Sequence, residues 1–538
     1  MLTDTDVLII GAGFSGIGFA IRLQQKYPRV AYEIYDKAEE LGGTWWANTY
    51  PGCACDVPSH LYSYSFALNP EWSAQFAPQA EIGAYCRAVA QKFDIPRHIT
   101  LRSTVQSAAF DEPSGTWIVK ILDQKTGQVY ERRSRVLITA VGLLSEPNDC
   151  QIPGAEGYQG KLFHSARWDH SFDWAGKDVV VVGNGCSATQ FVPILSDGDG
   201  KAKNVVQFIR QPHWLEARPN PRYSAVAKWI FRNVPFAMRL FRALIFFVLE
   251  SYFTTFRRVG GKKHRERRMR TQIAYLKRTA PEKYHDVLIP KAVLGCKRRV
   301  MDTGYFACLH RENMELIHAD PIESITTTGV KTHSGREIHA DAVIFATGFK
   351  ASQPLFPIVI RGENGITMTD YWQNTAPSHA PSGYYGACVS EFPNLFMLIG
   401  PNTATGHTSV IFTAECQINF TLKVLHPILT ALHRQPSLLS RLNPFMHRTP
   451  APDTVAVTRQ AEERESTWVD EASSKFVWTS GCASWYLHPS GRNSALYPDS
   501  QVGMWWRSFV GPFKRDFVFR VCSGGGEMGG LDGDGKNK

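Results

Sequence analysis

Two glycine-centred turns, about 170 residues apart, each sit between an apolar strand and a helix, and they constrain this chain more than anything else in it. The first, Gly11-Ala12-Gly13-Phe14-Ser15-Gly16, follows a strand predicted over Asp6–Ile10 and opens a helix predicted over Ile17–Lys26. The chain returns in a second strand, Tyr32–Tyr35, ending in Asp36. The second turn, Gly183-Asn184-Gly185-Cys186-Ser187-Ala188, repeats the plan between Asp178–Val182 and Thr189–Leu195, with a return strand over Val205–Ile209 that ends at Arg210. Glycines here allow a tight turn and close backbone approach, so that a pyrophosphate can rest on a helix N-terminus. Asp36 stands about 20 residues past the last glycine, where an acid accepts hydrogen bonds from ribose hydroxyls. An acid at the second site would repel a 2′-phosphate, whereas Arg210 can pair with it, which points to NADPH over NADH. A solvated surface arginine is the plainer alternative.

The expected fold is α/β, with two Rossmann-like dinucleotide-binding domains and a helical cap. A length of 538 residues leaves room for two to four domains. Residues 1–150 form the first part of one domain, and residues 151–345 form an inserted second domain with a cap around 222–285. Residues 346–522 complete the first domain. Strands over Ala342–Phe345 and Leu395–Ile399, running into Ala346-Thr347-Gly348 and Gly400-Pro401-Asn402, are expected to rejoin it. The tail, 523–538, is glycine-rich and polar and cannot bury enough surface to fold.

Net charge is +10, and Arg257–Arg270 carries eight basic residues against Glu266 alone. The remainder is nearly balanced, which argues against a nucleic-acid surface. Trp229–Phe256 has apolar residues at helical spacing and is read as a core-facing helix before a solvated charged one. Docking on an anionic membrane is the less favoured alternative. Ala243–Leu249 is far short of the ~20 residues a spanning helix needs. Val7–Ile10 leads straight into a glycine turn, so it reads as a buried strand and not a leader. The eleven cysteines show no zinc spacing, and no metal site is expected. Mostly reduced thiols and a cytoplasmic protein are expected.

Between the two units lies Tyr158-x-Gly160-x-x-x-His164-x-x-x-Trp168-Asp169. On residues alone, a histidine among aromatics is as often structural as catalytic. The segment resembles the fingerprint of Baeyer–Villiger monooxygenases, F-x-G-x-x-x-H-x-x-x-W followed by P or D, with Tyr158 in place of Phe. The resemblance runs from about Asp6 to Trp506. It implies FAD and NADPH as cofactors and the insertion of one oxygen atom of O₂ beside a carbonyl of a small apolar substrate. In that family the histidine supports the linker and domain movement.

The resemblance also implies site residues. Gly42-Gly43-Thr44-Trp45-Trp46 through Cys55-Asp56 is similar to the family's flavin-edge segment, with Ala47 where many members have an aromatic. Cofactor contacts are implied at Gly11, Gly13, Phe14, Ser15, Gly16, Asp36, Thr44, Trp45, Trp46, Ala47, Ala54, Cys55, Asp56 and Tyr62. They are implied further at Gly183, Asn184, Gly185, Cys186, Ser187, Ala188, Thr189, Gln190, Arg210, Lys297, Arg298, Val410 and Trp478, the last beside the nicotinamide. Gly295-Cys296-Lys297-Arg298 is similar to the segment holding the catalytic arginine, and Arg299 leaves that choice open by one residue. The chemistry asks for a permanent cation beside an oxygen that bears negative charge, and arginine cannot lose its proton. Asp56 could orient it, or could simply cap a turn. An oxygenase for soft nitrogen or sulfur needs a protonated oxidant, so Arg298 argues against it. Intact glycines at both sites argue against an inactive binding protein of this fold. Substrate identity and oligomeric state lie beyond the sequence.

Overall fold

The structure is a computed structural model that describes residues 3–433 and 451–522. The tail read at 523–538 lies outside the described residues.

Thr5–Ile10 and Tyr32–Tyr35 pair in parallel, with Val7 opposite Tyr32 and Ile10 opposite Tyr35. Both read as apolar runs because helices and loops cover both faces. The full order of this sheet is Val359–Arg361, Ser103–Asp111, Thr116–Asp123, Val129–Thr139, Thr5–Ile10, Tyr32–Tyr35, Ile99–Thr100. Val129–Thr139 changes role along its length. Its first half pairs antiparallel with Thr116–Asp123. Its second half, with Val136, Leu137 and Ile138 fully buried, lies parallel to Thr5–Ile10 and to Leu395–Met397. Helix Phe14–Lys26 buries Ile17, Phe19, Ile21 and Leu23 and packs on helix Val410–Val424.

The second sheet is wholly parallel and runs Met314–Ile317, Asn204–Phe208, Asp178–Val182, Ala342–Phe345, Lys161–His164. Leu395–Met397 rejoins the first sheet as expected, whereas Ala342–Phe345 does not rejoin it and stays with the second domain, inside the limits 151–345. It sits in the second sheet between Asp178–Val182 and the fingerprint strand Lys161–His164. A four-residue apolar strand suits the centre of either parallel sheet equally, so its composition does not choose between them.

The cap comprises helices Ala225–Asn233, Ala237–Glu250 and Lys262–Thr279. Ser224 caps the first by accepting the Ala227 N–H at 3.2 Å. The expectation of a core-facing helix holds only in part: Ile245, Phe246 and Leu249 pack against the core while the rest of the apolar surface does not. Ala225–Asn233 has no buried residue, and Ala237–Glu250 has only Arg242. The first two helices also lean on the first domain, not on the second. His60 meets the rings of Tyr223, Phe231 and Phe241 edge-on at 4.9, 4.6 and 5.3 Å. Arg242 donates to the carbonyls of His60 and Leu61 at 2.7 and 3.1 Å. Among the described residues no helix is long and apolar enough to cross a membrane. Nine cysteines are free, in line with mostly reduced thiols, while Cys296 and Cys482 form a disulfide with Cα atoms 6.3 Å apart.

Candidate active site

The two glycine turns are built alike. Gly11 has φ +111° and donates to the Tyr35 carbonyl at 2.8 Å, and Gly183 has φ +115° and donates to the Phe208 carbonyl at 2.9 Å. A Cβ at Gly11 would lie 2.6 Å from the Ala140 oxygen, and one at Gly183 would lie 2.5 Å from the Ala346 oxygen. No side chain caps helix Phe14–Lys26 or helix Ala188–Leu195, so first-turn N–H groups are left for an anion. A Cβ at Gly13 would stand 3.5 Å from the Gly43 Cα, so any longer side chain fills the cradle between them, while Gly185 faces open space. The Asp36 carboxylate accepts the N–H groups of Ala12 and Ala38 at 2.6 and 2.8 Å, which ties the end of its strand to the turn. Trp45 and Tyr62 join this edge, the indole donating to the phenol oxygen at 2.9 Å, and Phe14 lies 5.9 Å from the Tyr62 ring. Ser15 is partly exposed in the turn, and Thr44–Ala47 forms a short helical turn with Trp46 outward and Trp45 buried. This donor set, with its glycine cradle and strand-end acid, fits a dinucleotide at each unit.

Arg298 and Asp56, 242 residues apart in sequence, form an ion pair with Nη2 2.5 Å from Oδ2. Strand Val300–Asp302 lies parallel to Leu215–Ala217. Just before it, Arg299 takes a partner of its own, Glu216 at 3.1 Å, with its guanidinium over the Tyr252 ring at 4.5 Å. Arg298 and Asp56 keep 29% and 24% of their side-chain surface exposed, so the pair lines an opening. Burial alone would raise the Asp56 carboxyl, yet Arg298, helped by Arg299 and Arg218, holds it below its ordinary 3.8. Asp56 in turn pushes Arg298 above its ordinary value against the opposing effect of burial. Both groups are charged at neutral pH. The Cys186 thiol of the second turn and the Tyr486 hydroxyl both feel the charge of Arg298. Arg218 donates to the Cys55 carbonyl at 2.6 Å and steadies the loop that carries Asp56.

Gln190, on the helix of the second unit, reaches the flavin-edge segment. It donates to the Ala54 carbonyl at 3.0 Å and accepts from the Tyr50 hydroxyl at 2.9 Å. Thr189 is fully buried and spends its hydroxyl on the Gly185 carbonyl at 3.2 Å, and Asn184 donates to the Gln211 carbonyl at 3.1 Å. Arg210 is exposed, and its charge lowers the neighbouring Lys297 ammonium, a shift led by burial. Val410 opens helix Val410–Val424 behind the cap Ser409. Trp478 is buried, stacked on Phe476 at 4.4 Å, and its indole N–H has no partner among the described residues. His164 lies apart from the Arg298 cluster. Its Nδ1 accepts the Ala166 N–H at 3.0 Å beside the Phe349 ring, and Tyr158 donates to the Ala340 carbonyl at 2.7 Å. Tyr486 and Arg218 carried no motif that could have singled them out.

The chain matches the Flavin-binding monooxygenase-like family over residues 4–372. A protein of Pseudomonas aeruginosa named Baeyer-Villiger monooxygenase is 35% identical over 503 residues, covering 93% of this chain and 88% of that one. The chain belongs to the Baeyer–Villiger type of flavin-binding monooxygenase. A Baeyer-Villiger monooxygenase of Streptomyces coelicolor is 33% identical, covering 91% and 88% of the two chains. The FAD-binding monooxygenase ktnD of Aspergillus niger is 34% identical, covering 93% and 79%. Among solved structures, cyclohexanone monooxygenase from Rhodococcus sp. Phi1 bound to NADP⁺ superposes with a TM-score of 0.79 at 24% identity, covering 96% of this chain and 99% of that one. This Baeyer–Villiger monooxygenase therefore shares that enzyme's fold.

Proposed function

We propose that this monooxygenase holds FAD on the unit at Gly11–Gly16 and NADPH on the unit at Gly183–Ala188, and oxygenates a small apolar ketone beside Arg298. The product is an ester or lactone: ketone, O₂, NADPH and a proton give product, water and NADP⁺. The observation that carries this reading is the partly open Arg298–Asp56 pair, where the flavin-edge loop and the Cys186 turn of the second unit converge.

Bound flavin, once reduced by NADPH, supplies the electrons that activate O₂. The chain's own residues do the rest. Gly13 and Gly43 let the backbone come close to one pyrophosphate, with Asp36 at the ribose end. Arg210 and Lys297 form the cationic site for a 2′-phosphate. Arg298 presents a fixed charge where an oxygen becomes negative, and it needs no reorganisation at the moment of reaction. Asp56 orients that guanidinium. Tyr486 is buried near enough to feel the charge of the pair, and its hydroxyl has no partner among the described residues.

NADPH oxidation measured over a panel of cyclic and linear ketones, with products analysed by mass, tests the reading. Ketones that gain one oxygen atom support it. Turnover confined to amines or sulfides would place the enzyme among nitrogen and sulfur oxygenases instead.

A further inference from the structure

We propose that the face made by helices Ala237–Glu250 and Gln501–Val510 docks on an anionic lipid bilayer. In and just before the first helix, Phe236, Leu240, Leu244 and Phe247 recur every three or four residues and so form one stripe. The stripe faces solvent: Phe236 and Leu240 are each 73% exposed, and Phe247 is 63% exposed. The other side of this helix holds the buried Arg242, and Phe246 there packs 4.8 Å from the Phe412 ring.

The second helix has the same construction. Gln501, Met504 and Ser508 are buried, while Val502, Trp505, Trp506 and Phe509 point out, Trp506 at 57% and Phe509 at 63% exposure. The helices are 252 residues apart at the point where they meet, the Val502 N–H donating to Glu250 Oε1 at 3.2 Å. Two unrelated segments are thus held together with their apolar stripes uncovered among the described residues. Scattered apolar residues on a surface need no explanation, but exposed apolar stripes repeated along two helices that meet mark an interface.

Charge selects the occupant. Arg222 to Lys283 contains sixteen Lys and Arg, of which all but the buried Arg242 and Arg265 reach the surface, against three acids, Glu250, Glu266 and Glu282. That imbalance exceeds the net charge of the whole chain. Exposed Arg232 and Arg239 flank the first stripe, and exposed Lys514 and Arg515 follow the second. Between the cap helices, Val259 projects at 90% exposure from Arg257-Arg258 on one side and Lys262-Lys263 on the other. A second copy would bring this cationic rim against itself, whereas an anionic bilayer accepts both the rim and the apolar stripes. The helices have 14 and 10 residues, so they lie in the interface plane and do not cross it.

The test uses the full chain with its flavin, co-sedimented with phosphatidylcholine vesicles alone or with about 30% phosphatidylserine. Salt is raised from about 0.1 M to about 1 M, which shortens the screening length from about 10 Å to about 3 Å. Binding to the phosphatidylserine vesicles at low salt is expected, with loss of most of it at high salt. Lys262→Glu with Lys263→Glu should weaken that binding at least tenfold. Leu240→Ser with Phe247→Ser, or Trp506→Ser with Phe509→Ser, should abolish it while flavin content and turnover in solution stay unchanged. Should a variant fail to fold, quenching of wild-type tryptophan fluorescence by brominated lipid decides alone. Wild-type protein left in the supernatant with both vesicles overturns the proposal. So does equal, salt-independent binding to neutral vesicles, or a dimer that the apolar substitutions dissolve in a protein that ignores lipid.

Discussion

Adjacent arginines at 298 and 299 meet different partners, and that separation makes their roles testable. Arg298→Ala removes the cation beside Asp56 but leaves both glycine units intact. It should keep its FAD, lose about 10²–10³ in ester or lactone formation, and release hydrogen peroxide while still consuming NADPH. Arg299→Ala breaks the Glu216 pair and the Tyr252 stack. It should lose stability more than product yield. Product analysis beside a peroxide assay separates the two, and the opposite pattern would move the role by one residue. Arg210 is tested by coenzyme choice. One charge-assisted contact contributes about 1.5–3 kcal/mol, so Arg210→Ala should narrow the preference for NADPH over NADH by roughly 10- to 100-fold in kcat/KM. An unchanged ratio would assign the phosphate to another residue.

At the level of elements, the strand-turn-helix unit separates fold from ligand within three residues. Gly11 is needed by the protein itself, since a side chain there strikes the Ala140 carbonyl of the neighbouring strand. Gly13 has only Gly43 opposite, so its missing side chain leaves room for a ligand. Gly13→Val should therefore fold with unchanged circular dichroism but purify colourless, without the flavin absorbance. Gly11→Ala should lose helix and sheet content together. A yellow, folded Gly13→Val protein would show that the cradle between Gly13 and Gly43 does not hold the pyrophosphate.

Across the whole molecule, one buried and two half-buried histidines shape the response to pH. His60 joins the first domain to the cap, and burial, with the nearby Arg242 charge adding to it, lowers its pKa from 6.5 to about 4. Burial lowers His164 and His213 to about 4 as well. Below pH 6.5 the unfolded chain takes up protons that the folded chain refuses until about pH 4. Stability is therefore full above pH 6.5 and falls as pH drops through that window, at most about 1.4 kcal/mol per pH unit for each histidine. Asp56 acts with the same sign at lower pH. Its depressed pKa stabilises the fold above 3.8, and that contribution is lost only at lower pH. Urea titrations between pH 7.5 and 4.5 should show the decline, and His60→Gln should flatten it. An unchanged slope in His60→Gln would mean that the cap contact titrates elsewhere.

What the sequence determined by itself was local. A glycine at positive φ, an unbroken apolar strand and an acid at fixed spacing each act over a few residues. Tyr32–Tyr35 and Asp178–Val182 accordingly fold within the limits read from the chain, and both turns take the same shape. Arg298 and Asp56 were legible singly, as residue types within motifs. Their pairing, and the diversion of Arg299 to Glu216, was decided by loops and a strand that meet only in the folded chain. Tyr486 and Arg218 enter the site solely through that packing. The same limit explains the cap. Helical spacing tells that Ala237–Glu250 has an apolar face, but what covers the face depends on where distant elements settle. Here Phe412 and His60 take the opposite side, and the stripe at Leu240 and Phe247 stays in the open.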